Sequence, residues 1–466
     1  MKGKKILALS LAVLLLTALL PTAAFAVGSP GLAQGTSVLS EGANTSGAAT
    51  VYYGGKAWRV IAYDSGSITL LAAENLGHTR YDTSGSESNA YGTSTLKTAI
   101  EAIAAGFSSG EQSAVIPRTL EGGSANYGET EDRKVYHSDH IRGDPVENAL
   151  LWPLSVAEAN SLDKELLKTD SANPDWLSSY WWLRSPGYGG NYAAFVSGNG
   201  DVLVSGYDVT SNDVGVRPAF YVNPESVLFT SAAAGGKSTG GVGAGALKAV
   251  SAVDTAAWTL TLLDPGHSGF GIDPFAVTYN SETNAVTVPY SGAMTGFNEF
   301  ISAIIKDSSG NITYYGRVAR LGTAAAASGS ITVNLAGKLN AGDTLFIFNE
   351  QVNSPETAPP DTLLPVGAPD TQTDYASALI EIEIPPKGQY DDGEAVPSLT
   401  VNAAPEEPTV NAAPEEPDLP KTELDIPKTG DDAPVFLWLV LMSIGAIGLA
   451  AVVFFGRKRK IQKRDQ

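Results

Sequence analysis

The 466-residue sequence predicts an α+β head over residues 36–230, an all-β sandwich over 246–385, a disordered stalk over 386–425 and one C-terminal apolar helix. Three observations carry this order. Strand-like runs interrupted by two helical stretches fill the first segment, short strands alone fill the second, and Pro, Gly and Glu collect between and after them.

In the head, Val51–Tyr53 and Trp58–Ala62 read as strands joined at Gly54-Gly55, with Ser67–Ala72 as a third. Residues Ser94 to Phe107 place Leu96, Ile100 and Ile103 on one helical face. Ser155-x-x-Glu158 forms a capping box ahead of Leu162, Leu166 and Leu167, predicting a second helix. Strands then return: Tyr180–Arg184 up to Ser185-Pro186-Gly187, Tyr192–Ser197 up to a Gly-Asn-Gly turn, Val202–Ser205, and Val214–Val222. Residues 231–245, SAAAGGKSTGGVGAG, read as a flexible linker. Their GGKST echoes a phosphate-binding loop, but Ser231 stands where that motif needs glycine.

The second segment predicts about seven short strands, from Trp258–Leu262 through Val286–Val288, Phe300–Ile305, Ile312–Val318, Ile331–Leu335 and Thr344–Phe348 to Ala378–Ile384. That spacing favours an immunoglobulin-like sandwich. In the stalk, TVNAAPEEP occurs at 400–408 and again at 409–417. Proline removes amide donors and the glutamates repel one another, so an extended spacer is expected.

Composition narrows the function. With no cysteine, disulfides, thiolate-bound metals and a cysteine nucleophile are excluded. A net charge of −20 argues against a nucleic-acid partner, which needs clustered Lys and Arg. Nine of the 30 basic residues lie in the two ends, so the part between is more acidic still.

Those ends read as addresses. Lys2, Lys4 and Lys5 precede an apolar stretch from Ile6 to Leu20, and Ala24-Phe25-Ala26 supplies the small residues of a signal-peptidase site, so residues 1–26 read as a cleaved signal peptide. At the other end Ala433–Phe455 is apolar for 23 residues, enough to span a bilayer as a transmembrane helix. The basic residues of 456–466 hold its far end in the cytoplasm. Just before the span stands Ile426-Pro427-Lys428-Thr429-Gly430. Pentapeptide, apolar span and basic tail, in that order, resemble the LPxTG-type sorting signal of Gram-positive surface proteins, with Ile426 in place of the usual Leu. The resemblance implies that a sortase cuts between Thr429 and Gly430 and joins Thr429 to peptidoglycan. The earlier Leu419-Pro420-Lys421-Thr422-Glu423 ends in Glu and reads as a decoy.

Trp181-Trp182-Leu183-Arg184-Ser185-Pro186-Gly187, the Gly-Asn-Gly turn and Val214-Gly215-Val216-Arg217-Pro218-Ala219 together resemble an uncharacterised domain family of exported Gram-positive proteins. The layout is also similar to C-type-lectin-like and formylglycine-generating-enzyme-like folds. The calcium-binding tripeptides of sugar-binding lectins are absent from the sequence.

No serine-hydrolase elbow, His-Glu-x-x-His helix or dinucleotide fingerprint occurs. His137, His140 and Asp144, with Asp139, form a weak metal candidate in a polar loop, and Arg142-Gly143-Asp144 spells an integrin-type tripeptide. No cofactor is expected. Trp181, Trp182, Tyr188 and Tyr192 are candidate ligand-facing aromatics for an unknown glycan or protein, with alternate members of the strand expected in the core. Arg184 and Arg217, set in apolar strands, are expected to pair with a carboxylate or a carbonyl turn and lock the sheet. Gram-positive surface sandwiches often carry a Lys–Asn isopeptide crosslink beside a buried acid, and Lys306, Asn349 and Glu299 are of the right types. The expectation is a surface-anchored binding or adhesion protein rather than an enzyme. The alternatives are a wall-bound enzyme gathering His78, His137 or His140 with carboxylates, and a structural spacer.

Overall fold

The computed structural model describes residues 30–83, 88–121, 145–169, 176–237, 241–252, 255–353 and 370–384. They form a mostly β architecture with few, short helices. The head opens with β1 (Leu32–Gln34) and a hairpin of β2 (Thr50–Tyr53) and β3 (Lys56–Tyr63). Gly54 and Gly55 make its two-residue turn with φ of 57° and 68°, the paired positive values that a tight, right-twisting hairpin requires. The strand β4 (Ile68–Ala72) is buried at every position, as suits a strand inside a sheet.

The helix α1 (Thr95–Ala105) starts where Ser94 accepts the Lys97 N–H, and it buries Leu96, Ile100 and Ala104, one row at four-residue spacing. A reciprocal capping box of Ser108 and Glu111 opens α2 (Ser109–Ala114). Then follow β5 (Val115–Ile116), β6 (Arg118–Leu120), β7 (Val146–Ala149) and β8 (Leu151–Pro153). The expected box of Ser155 and Glu158 starts α3 (Val156–Asn160), and Asp163 caps α4 (Lys164–Leu167). A three-stranded antiparallel sheet of β9 (Trp181–Pro186), β10 (Tyr192–Val196) and β11 (Val202–Asp208) precedes β12 (Pro218–Val222), which pairs with β4, β5 and β8.

The chain does not break after the head. β13 (Val227–Ala232) runs through Ser231, and the turn after it carries Lys237 into the interior. Residues 231–237 were expected in a flexible linker, but their backbone is tied down. Gly236 N–H donates to Ala232 O, and Gly31 N–H to Gly236 O. A Cβ on Gly236 would stand 2.3 Å from Ala232 O, so only glycine permits that turn.

Beyond it lie β14 (Lys248–Ala249), β15 (Ala257–Leu263), β16 (Gly271–Ile272), β17 (Thr278–Asn280), β18 (Ala285–Ser291), β19 (Glu299–Lys306), β20 (Ile312–Arg320), β21 (Gly329–Asn334), β22 (Thr344–Gln351), β23 (Asp374–Ala376) and β24 (Ile380–Ile382). The strand β15, expected to begin a separate module, is the seam. It runs antiparallel to β13 and parallel to both β2 and β23, so one 15-stranded sheet spans both segments. The rest of the second segment is two-layered: β16, β17, β18 and β21 form a four-stranded sheet. Val286, Val288, Ile331 and Val333 of that sheet share a core with Ile301, Ile305, Leu345 and Ile347 of the large one.

The two-residue period of β19 and β22 gives each strand two buried faces. Odd-numbered Ile301, Ile305, Leu345 and Ile347 enter this core, while even-numbered Ile304 and Phe348 enter another, with Leu32, Phe229, Ile312, Tyr315 and Ala376.

Candidate functional site

The aromatic and arginine motifs of the head are mainly framework. Trp181 and Trp182, expected among the ligand-facing aromatics, are both 0% exposed. The strand β9 is covered on both faces: the Arg217 guanidinium lies 5.1 Å from the Trp181 ring, and Tyr81 packs edge-on against Trp182 at 5.5 Å. Both indole N–H groups are satisfied, by Leu167 O and Thr79 O. Arg184 pairs with the carboxylate of Glu158, which also holds Arg118 at 2.9 Å and accepts the Ser155 N–H. Burial opposes the Glu158 charge, but Arg184 above all, then Ser155 and Arg118, holds its carboxyl below the usual range. Arg217 takes the other expected partner type. Its guanidinium donates to the carbonyls of Ala72, Ala73, Leu166, Leu167 and Lys168, clamping β4 to the end of α4, and burial pulls its pKa down to about 10.

Tyr188 and Tyr192 do face outward, at 59% and 37% exposure, on the hairpin between β9 and β10. Gly187 N–H donates to Tyr192 O at 2.7 Å and Tyr188 N–H to Ser205 O at 2.8 Å. The fully buried Asn89 donates from Nδ2 to Gly189 O and Tyr192 O, so the loop is held from beneath. A Cβ on Gly187 would stand 2.8 Å from Ser205 O, which explains glycine at the turn. Trp176, 68% exposed, precedes the single turn that leads into β9. Ordered, exposed aromatic rings offer contact area at little entropic cost.

One histidine of the head, His78, is among the described residues. His78 Nε2 bonds Ser178 O at 2.7 Å, and His137, His140 and Asp144 lie outside the described residues. A pocket of about 340 Å³ between α1 and the β7–β8 turn is lined by Lys97, Glu101, Gln112 and Glu147 and has no histidine. Among the described residues, no group of three or more His, Asp or Glu side chains is placed to hold a metal, and no helix is long and apolar enough to cross a membrane. Ala24, Ala26, the apolar run 433–455 and Ile426, Pro427, Lys428, Thr429 and Gly430 also lie outside them.

Two buried polar clusters were not foreseen as clusters, although Glu299 and Asn349 of the first were candidate crosslink residues. His267 is clasped by two acids: Nδ1 lies 2.7 Å from Asp264 Oδ2, and Nε2 lies 3.2 Å from Glu299 Oε2. Burial opposes a charge on His267, but Glu299 and Asp264 outweigh it and raise its pKa. Asn349 Nδ2 donates to Glu299 at 3.0 Å. The expected partner Lys306 is elsewhere. Lys306 pairs with Thr344 and Asn349 with Ile301, so five residues of strand, roughly 17 Å, separate them. Lys306 rests over Phe346 on the opposite face, so a Lys306–Asn349 crosslink is excluded by geometry.

The other cluster lies on the even face of β22. Lys237 Nζ sits 3.0 Å from Glu350 Oε2 and 2.6 Å from Asp374 Oδ2, with side-chain exposures of 4%, 0% and 0% in that order. Glu350 Oε1 accepts O–H bonds from Tyr315 and Ser302, both at 2.5 Å, and Asp374 Oδ1 accepts the Asn353 N–H at 2.6 Å. The Phe229 ring covers Nζ at 5.0 Å. The only sequence signal was a lone Lys in an Ala/Gly-rich stretch, read as a linker.

Residues 65–224 match the model of a family described as a domain of unknown function, DUF6273. No curated protein and no solved structure matches the chain.

Proposed function

We propose that the chain is an exported, wall-anchored surface protein whose body presents a binding module. The observation that carries this reading is the order of Ile426-Pro427-Lys428-Thr429-Gly430, a 23-residue apolar run and a basic tail. In this reading the signal peptide is removed after Ala26, the span 433–455 holds the precursor in the membrane, and a sortase transfers Thr429 to peptidoglycan. The stalk 386–425 then lifts the body off the wall.

For the body we propose a lectin-like head and an immunoglobulin-like second segment, joined through β15. The Tyr188–Tyr192 hairpin is the surface best suited to a ligand, because its rings are exposed while its backbone is fixed by Asn89. Flat, partly polar rings suit stacking on sugars or packing against a protein partner. Thr429→Ala tests the anchor: it should move the protein from the wall to the membrane fraction, and unchanged wall attachment would overturn the reading. A glycan and matrix-protein array probed with the protein and with a Tyr188→Ala/Tyr192→Ala double variant tests the module. Signal lost only in the variant supports it; equal signal, or none for either protein, counts against it.

A further inference from the structure

We propose that Lys237 and Asp374 form an intramolecular amide bond, with Glu350 as the proton relay, stapling the turn after β13 to β23. The inference rests on the geometry of these side chains and is independent of how the protein is anchored.

As a salt bridge the arrangement is poorly balanced. Two carboxylates face one ammonium, with no water-exposed edge to spread the charge, and a buried ion group is stabilised only when every partner is well satisfied. Asp374 Oδ2 lies 2.6 Å from Nζ, nearer than Glu350 Oε2 at 3.0 Å. A condensation needs an amine against a carbonyl carbon, a neighbouring base, a donor on the carbonyl oxygen and exclusion of water. Each is present: Nζ beside Asp374, Glu350 Oε2 at 3.0 Å, the Asn353 N–H on Oδ1, and a shell of Phe229, Phe348 and Tyr315. Burial raises the Asp374 carboxyl above its usual range, favouring the protonated acid that can lose water. Tyr315 and Ser302 hold Glu350 Oε1, leaving Oε2 directed at the amine.

The step balances. An ammonium proton passes to Asp374 Oδ2, giving a neutral amine and a carboxylic acid. The Nζ lone pair forms the Nζ–Cγ bond while the π pair moves onto Oδ1, where Asn353 N–H donates. Glu350 Oε2 takes one proton from nitrogen and delivers it to Oδ2. The Cγ–Oδ2 bond breaks, its electron pair leaving with oxygen as water. One amide N–H remains, Glu350 is unchanged, and no oxidant or co-reactant is consumed.

Peptide mapping of the full-length protein tests this. Trypsin cannot cut after an acylated lysine, so residues 185–248 and 339–387 should elute as one branched species lighter by one water than their sum. Cleavage after Lys237 with a free 339–387 peptide would overturn the proposal. Glu350→Gln, close in volume, should restore the unlinked peptides, and a branched species persisting in it would overturn the relay. If that variant fails to fold, the wild-type map alone still decides.

Discussion

Replacing Arg217 by Lys keeps the charge but removes the planar fork. The five guanidinium bonds reach carbonyls on two elements, the end of β4 and the last turn of α4. An ammonium has three N–H groups radiating from one point. Leu167 O keeps a second donor in the Trp181 indole, so at least one of the other carbonyls is left bare. A buried unsatisfied carbonyl costs about 1–3 kcal/mol, and weakening the contact with the Trp181 face adds about 1 kcal/mol. Arg217→Lys should therefore lose about 2–4 kcal/mol, a large part of a typical domain's stability. Arg217→Met, with no donor, should lose more. Urea unfolding followed by tryptophan fluorescence reports this directly, because the indole of Trp181 faces the substituted group. An Arg217→Lys midpoint within about 0.5 kcal/mol of wild type would refute the clamp, since that is the range of ordinary surface changes.

Other predictions follow from the same contacts. The raised pKa of His267 means that its two acid contacts stabilise the fold fully below pH 6.5 and lose that contribution as pH rises through the raised value. Wild type should thus lose more stability across that window than His267→Gln, and parallel pH–stability curves would contradict this. Glu158 works in the opposite sense: its lowered pKa stabilises above pH 4.5 and fails as pH falls through the depressed value. Glu158→Gln should cost about 3 kcal/mol at neutral pH by stranding Arg184, read as a lower thermal midpoint whose gap from wild type narrows in acid. Tyr188→Ala and Tyr192→Ala should each leave stability within about 0.5 kcal/mol, measured by thermal shift, because their rings lie at the surface.

Local chemistry was legible in the sequence wherever a short motif decides its own structure. The glycine pair at 54–55, the capping box of Ser155 and Glu158, and Leu96 and Ile100 on the buried face of α1 all follow from neighbouring residues, although Ala104 completes that row where Ile103 was expected. The roles of Arg184 and Arg217 were legible as well, because an arginine within an apolar strand must find acceptors. What escaped depends on partners far along the chain. β15 has the pattern of any buried strand, and nothing in it announces that it pairs with β2 some 200 residues earlier. Glycine and alanine around Lys237 signalled flexibility, yet the same small residues allow the tight turn that aims its amine inward. Trp181 and Trp182 read as alternating faces of a strand, but β9 is covered on both, so neither is outward.

Anchoring is tested most directly by the C-terminus of the wall-bound protein. Glu423 is the last glutamate, so a Glu-specific protease applied to protein released by muralytic digestion isolates whatever follows it. A peptide from Leu424 to Thr429 carrying a peptidoglycan fragment on the threonine carboxyl is the predicted result. A peptide that continues through Gly430 into the apolar run would contradict it.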